Sequence, residues 1–439
     1  MRSSFFRSRW LRRLAAGAAL TSLAVASAAP LPARAQHSRA TVNLTIWSWV
    51  PKLDTAVAVF NSTHPGIHVT WDLVPALGFY PKLETALKGH NAPDLAQVEF
   101  QALPTFESTG SLVDLSKYGA TAYKSKFVPW TWNQVSLGKA IYAIPQDTGP
   151  MAMYYRQDIF SKYHIAVPKT WAEYAAAAAT LHKANPQDYI ADFSPSDPGN
   201  FAGLVWQAGG RWFRINQQAQ AWKVGINDPA SKQVAQFWQG LLDKKLVKTD
   251  PGFANGWYHD AQTGGLCTWI SAVWGANTIM VNAPNTKGDW RVAPMPQWKA
   301  GQHVVGNWGG STTVVTADSK HPKEAALFAE FLNSNLKSVD KMVVGAQIYP
   351  AATAAQDLPS VNAAMPFYGN QDINRVFQNE SRYVDTSWQW GPTMVQVYSD
   401  WQDGAGNAAS GKTTLPKVLD QVQQSTMAGM KKQGFSVQQ

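Results

Sequence analysis

The chain has 439 residues, of which 15% are charged, and a formal net charge of +9. Six arginines (Arg2, Arg7, Arg9, Arg12, Arg13 and Arg34) fall at the start of the chain with no acid among them, so removing that stretch lowers +9 by 6 to +3. So small an excess, with no long Lys/Arg block, excludes a polyanion such as nucleic acid as the expected partner.

The arginine-rich MRSSFFRSRWLRR runs into the alanine-rich LAAGAALTSLAVASAAPLP, and ARAQ then offers a small-x-small cleavage point after Ala35. This is the layout of a secretory signal peptide, and an apolar run of about 16 residues is short for a membrane span. Residues 1–35 are therefore expected to be removed, leaving an exported protein in the periplasm or outside the cell. The pair Arg12-Arg13 leaves a twin-arginine route open beside the general one. No cysteine stands at the cleavage point to carry a lipid. The single cysteine, Cys267, has no internal partner and reads as a small buried hydrophobe. The roughly 400 residues that remain exceed one ordinary core and suggest two domains. There are 20 Trp, 14 Tyr and 18 Phe, enough to build large cores and also to pave a surface for a sugar.

In chain order, VNLTIWSW (42–49) reads as a strand and TAVAVFNSTHPG as a helix ending before Pro65. IHVTWDLV (67–74) is a strand and YPKLETALKGH (80–90) a helix that tolerates Pro81 in its first turn. DLAQVEF (94–100) is a third strand, and LPTFESTG turns helical. Such a βαβαβ run argues a parallel sheet with crossover helices, whose ligands sit at the carboxyl ends of the strands. Residues 138–165 read as two short strands and a helix start. In PKTWAEYAAAAATLHKA, Thr170 and Glu173 have capping-box spacing. A second α/β region runs from about 168 to 310 through YIADF, FAGLVWQAGG, PASKQVAQFWQGLLDKKLV and LCTWIS. WRVAPMPQW and STTVVTA read as strands, HPKEAALFAEFLNSNL as a helix, and the last 70 residues as helical and aromatic. GNAASGKT at 406–413 matches a phosphate-loop pattern, but no buried strand precedes it, so it reads as a helix–helix loop.

The ordered set LTIWSW, NSTHPGIHV, APDLAQVEF, GKAIYAIPQDTGPMAMYYRQDIFSKYHIAVPKTWAEY, GGLCTWISAVW and GGSTTVVTADSKHPKEAALFAEFL resembles the extracellular carbohydrate-binding proteins of ABC importers, the maltodextrin-binding-like family. The resemblance implies two α/β lobes joined by two crossing segments, near 145–155 and 310–320, with the solute held between them. It implies a first lobe over 36–150, a second over 151–310, and a return segment with C-terminal helices over 311–439. It departs from many relatives in having ARAQ where a lipid-bearing cysteine would stand.

A sugar offers hydroxyls at its edges and C–H patches on its faces, which suit fixed polar groups and aromatic rings. The cleft loops that the resemblance marks carry Trp47, Trp49, Glu99, Asp147, Trp206, Trp269, Trp274, Trp308, Trp388 and Trp390. Trp49 lies just past its strand and is a better candidate than Trp47. Trp308 lies in GNWGG, where Gly309 and its neighbours permit close backbone approach. The expected ligand is a mono- or oligosaccharide, the expected partners are membrane permease subunits, and the protein is expected to be monomeric, without cofactor or metal and without enzymatic activity. Two alternatives are a different solute, such as a glycerol phosphate or a polyamine, and a glycoside-acting enzyme. The first would favour basic residues in the loops and the second a pair of facing carboxyls; no HExxH or GxSxG motif occurs.

Overall fold

A computed structural model describes residues 40–76, 78–216 and 219–439; the expected signal peptide lies outside them. Eight strands carry the architecture: β1 Val42–Ser48, β2 Ile67–Leu73, β3 Leu95–Glu99, β4 Ala143–Pro145, β5 Met151–Arg156, β6 Thr268–Ala272, β7 Trp290–Ala293 and β8 Ser311–Val315. The first sheet has the order β2-β1-β3-β8-β4 and the second β6-β5-β7. In the first, β1, β2 and β3 are parallel, as the βαβαβ reading requires, while β8 runs antiparallel to β3 and β4. The second sheet is antiparallel throughout.

Local sequence explains these elements. The helix Leu53–Thr63 buries Leu53, Ala56, Val57 and Phe60, one face at helical spacing, against the first sheet. β3 buries its first four residues and lifts only Glu99 partly into the open, which puts an acid at the carboxyl end of a core strand. The helix Trp171–Ala184 begins with the full capping box, Thr170 Oγ1 accepting from the Glu173 amide and the Glu173 carboxylate accepting from the Thr170 amide.

Contacts bind Thr41–Gln439 into one unit, within which the two sheets mark two lobes. The chain passes from the first sheet to the second at 146–150 and returns to it through 307–310, and the later segment 349–351 lies beside the first passage. The three lie side by side: Trp308 N donates to Gly149 O (2.8 Å), Thr148 N to Tyr349 O (2.9 Å) and Ala351 N to Gln146 O (3.0 Å). The segment 349–351 carries no strand pattern, so periodicity alone does not announce it.

Three local expectations are corrected. YIADF yields only the two-residue strand Ala191–Asp192. The helix expected over 322–336 stops at Ser334, because the Asn335 side chain caps a new helix, Leu336–Ala346. Gly404–Ala409 is the end of the helix Met394–Ala409 rather than a loop, which also removes the phosphate-loop geometry. Cys267 is buried, one residue before β6.

Candidate functional site

The stretch Gly306–Gly310 is the second passage, and each glycine in it has a separate reason. A Cβ on Gly306 would lie 1.9 Å from Gly203 O, so the strand approaches the helix Pro198–Gln207 at backbone distance. Gly309 and Gly310 have φ of 76° and 90°, the left-handed region that glycine enters at no steric cost. Asn307 is 1% exposed and clamps the turn, its Nδ2 donating to Gly309 O (2.7 Å) and its Oδ1 accepting from Gly149 N (2.9 Å). Trp308 is thereby held at the junction of the lobes, its carbonyl accepting from Trp274 Nε1 (3.1 Å).

Around Trp308 stands an aromatic wall. Its ring centroid lies 4.6 Å from Trp274, 6.0 Å from Trp269 and 6.4 Å from Phe253, and Trp257 packs 4.9 Å from Trp269. A methyl group on Gly199 would meet Trp308 Nε1 at 2.7 Å and Asp197 Oδ1 at 3.6 Å, so the wall and the Asp197 carboxyl flank the same glycine.

The first lobe contributes Glu99, Tyr80 and Trp49. Tyr80 Oη donates to Glu99 Oε2 (2.9 Å) and accepts from the Glu99 amide (3.1 Å), fixing the carboxylate. Trp49 sits 6.3 Å from Tyr80 and 4.8 Å from Phe79. Asp147, in the first passage, accepts from the Ser311 amide (2.6 Å). Burial pushes all three carboxyls up: Asp147 to about 6 and Asp197 to about 7, each with a further push from the Glu99 charge, and Glu99 itself upward against hydrogen bonds from Gln101 and Tyr80. Tyr398 feels both Glu99 and Asp197. The charged group acting on Asp147 and Asp197 is Glu99, and no base is among the groups acting on the three acids.

Of the sequence candidates, the structure brings Trp49, Glu99 and Asp147 to one side and Trp269, Trp274, Trp308 and Gly309 to the other. Trp206 is corrected: it is fully buried, stacked on Trp388 at 5.1 Å, and its Nε1 donates to Asp385 O (2.8 Å). Its helix face turns into the core, which leaves neither ring face nor N–H for a solute. Trp388 and Trp390, 2% and 5% exposed, belong to the same cluster and line a neighbouring cavity of about 430 Å³ with Glu107, Gln134 and Trp222. The Trp390 ring lies 6.4 Å from the Tyr398 ring, whose hydroxyl feels the Glu99 and Asp197 charges. Trp47 faces Lys82 instead, whose Nζ lies 4.4 Å from its ring.

Sequence reasoning missed Tyr80, Asp197, Asn200, Phe253, Trp257 and Tyr398. Asp197 carries a visible signal, since Asp-Pro before FAGLVWQ marks a helix N-cap, and its side chain does accept from the Asn200 amide. That signal points to structure, not to the cleft. Among the described residues no group of three or more His, Cys, Asp or Glu is placed to hold a metal ion, and no helix is long and apolar enough to cross a membrane.

Comparison with known proteins gives a consistent picture. Residues 47–335 match the family described as bacterial extracellular solute-binding protein. The chain is similar to the galacto-N-biose-/lacto-N-biose I-binding protein of the ABC transporter from Bifidobacterium longum, solved with lacto-N-biose: 31% identity, TM-score 0.81, over 91% of this chain and 99% of that one. It is similar to the ABC transporter associated binding protein from B. animalis subsp. lactis, solved with β-1,6-galactobiose: 28% identity, TM-score 0.79, over 91% and 100%. An arabinooligosaccharide-binding protein of Bacillus subtilis is 22% identical over 298 residues, and that match spans 66% of this chain and 64% of the relative's length.

Proposed function

Because the chain belongs to the bacterial extracellular solute-binding proteins, we propose that it holds a mono- or oligosaccharide in the cleft between its lobes and delivers it to the permease subunits of an ABC importer. The observation that carries this reading is the meeting of flat aromatic rings (Trp308, Trp269, Trp274) with fixed carboxyls, Asp197 beside the wall and Glu99 and Asp147 from the first lobe and the first passage. Rings stack on sugar faces, and carboxyls accept from sugar hydroxyls. A glycerol phosphate would meet three acids with no base among the charges around them, which argues against that alternative. The neighbouring cavity beside Trp390 offers room for more than one ring.

In this reading the chain carries out no chemistry. It works as an exported monomer, freed of residues 1–35, that closes on its solute and is read by the permease. Several relatives are named as binding proteins, which supports a carrier over an enzyme.

A thermal-shift screen against mono- and disaccharides tests the reading. A sugar that binds only the folded state at about 100 times its Kd adds about 2.7 kcal/mol of stability. At least one sugar is expected to raise the unfolding temperature, and glycerol 3-phosphate is not; stabilisation by the phosphate alone would overturn the assignment.

A further inference from the structure

Behind the aromatic wall lies a small cavity of about 30 Å³, enough for about two water-sized groups. Asp192, Ser194, Asp197 and Asn200 supply its polar lining, and Phe253, Trp257 and Trp269 its aromatic lining, shared with the wall around Trp308. Asp192 ends the short strand Ala191–Asp192. Both of its carboxylate oxygens are buried without a side-chain hydrogen-bond partner; the Asp250 backbone amide is the one hydrogen-bonding group that acts on it. Lys248, the nearby base, is ion-paired to Asp260. A buried acceptor left unmade is costly, so a carboxyl kept in this state points to a partner that arrives with the solute.

Phe253 adds a second, independent observation. Its φ is 63°, a conformation rarely tolerated by a bulky side chain, and such outliers gather at ligand sites. Its ring stays 40% exposed while lying within 6.4 Å of Trp257, Trp269, Trp274 and Trp308. The preceding residue holds it there, because the Gly252 amide donates to Ser194 Oγ (2.7 Å).

We propose that this cavity is a specificity pocket for the exocyclic hydroxymethyl group of a ring stacked on Trp308, with Asp192 bonding its hydroxyl, so that hexose units are selected over pentose units. The proposal rests on the sugar-binding reading above. Its physical basis is fit: one methylene against Phe253 and Trp269, and one hydroxyl against a carboxyl that lacks a side-chain partner. Burial, with the Asp250 and Asp260 charges beside it, pushes the Asp192 carboxyl up to about 8. At neutral pH it is therefore mostly protonated, and it can donate to the hydroxyl oxygen as well as accept from the hydroxyl proton.

The test is calorimetric titration of the wild-type protein with cellobiose, lactose and β-1,6-galactobiose, with xylobiose and arabinobiose, and with 6-deoxy analogues of the hexose disaccharides. The best hexose disaccharide is expected to bind about 10- to 100-fold more tightly than its 6-deoxy analogue and than either pentose disaccharide. Asp192→Asn and Asp192→Ala should shrink that ratio toward one. Equal affinity for the 6-deoxy analogue, or tighter binding of a pentose disaccharide, overturns the pocket while leaving the sugar-binding reading intact. Absence of binding by every sugar overturns both. The comparison of ligands on the wild-type protein holds even if a variant fails to fold.

Discussion

At the scale of single residues, Trp308 carries the argument. It is 8% exposed, so its burial alone does not separate a stacking ring from a core ring. Trp308→Ala is expected to weaken sugar binding by about 2 kcal/mol, roughly thirtyfold, as loss of a central anchoring aromatic does. A ring that served only the core would instead cost about 3–5 kcal/mol of stability with little change in affinity. Titration and urea unfolding of the same variant separate the two. The acids give a pH prediction. Asp147 and Asp197 are raised in the folded state, to about 6 and about 7, from an ordinary 3.8. The folded state thus binds protons more tightly than the unfolded chain, and the stability so gained is full below about pH 4 and lost as the pH rises through 6 to 7. Glu107, raised to about 7 by burial, and Asp192 act in the same sense. The unfolding temperature should fall between pH 5 and pH 8, and Asp197→Asn should flatten that fall; an unchanged slope would remove Asp197 from this role. Residue identity made part of this legible. An acid closing an apolar strand singled out Glu99, but nothing local distinguished Trp206, whose helix position is identical in kind to a cleft position until tertiary packing turns it inward.

At the scale of elements, the passages between lobes depend on backbone contact that a side chain would forbid. A Cβ on Gly149 would lie 1.9 Å from Trp308 O, and one on Gly306 equally close to Gly203 O. Gly306→Ala should therefore cost about 1–3 kcal/mol in urea unfolding, the usual range for overpacking, whereas Gly406→Ala, where nothing lies within 4 Å, should be tolerated. Equal stability of the two variants would contradict the described approach. Elements whose determinants are neighbours in sequence were readable in advance: the parallel β1, β2 and β3, and the Thr170–Glu173 cap. The segment 349–351 and the contribution of Tyr398 were not, because they are set by contacts between residues hundreds of positions apart. Asp197 shows the same limit from the other side, since its local role as a helix cap concealed its place beside Trp308.

At the scale of the whole molecule, the passages at 146–150 and 307–310 and the segment 349–351 beside them are hydrogen-bonded to one another. The sugar-binding reading predicts that closure on a solute is a rotation about 146–150 and 307–310 that leaves each sheet intact. Small-angle scattering with and without a bound sugar should give a smaller radius of gyration in the complex; an unchanged or larger radius at saturation would oppose a closing hinge. The central claim is that the space between the aromatic wall and the three carboxyls is a sugar site. Isothermal titration of residues 36–439 with lactose, β-1,6-galactobiose, lacto-N-biose and maltose tests it most directly. The account expects at least one of these sugars to bind with one site per chain and a Kd of about 10 μM or tighter, near −7 kcal/mol. No measurable heat with any of them, or one-site binding left unchanged when Trp308 and Glu99 are both replaced by Ala, would contradict it.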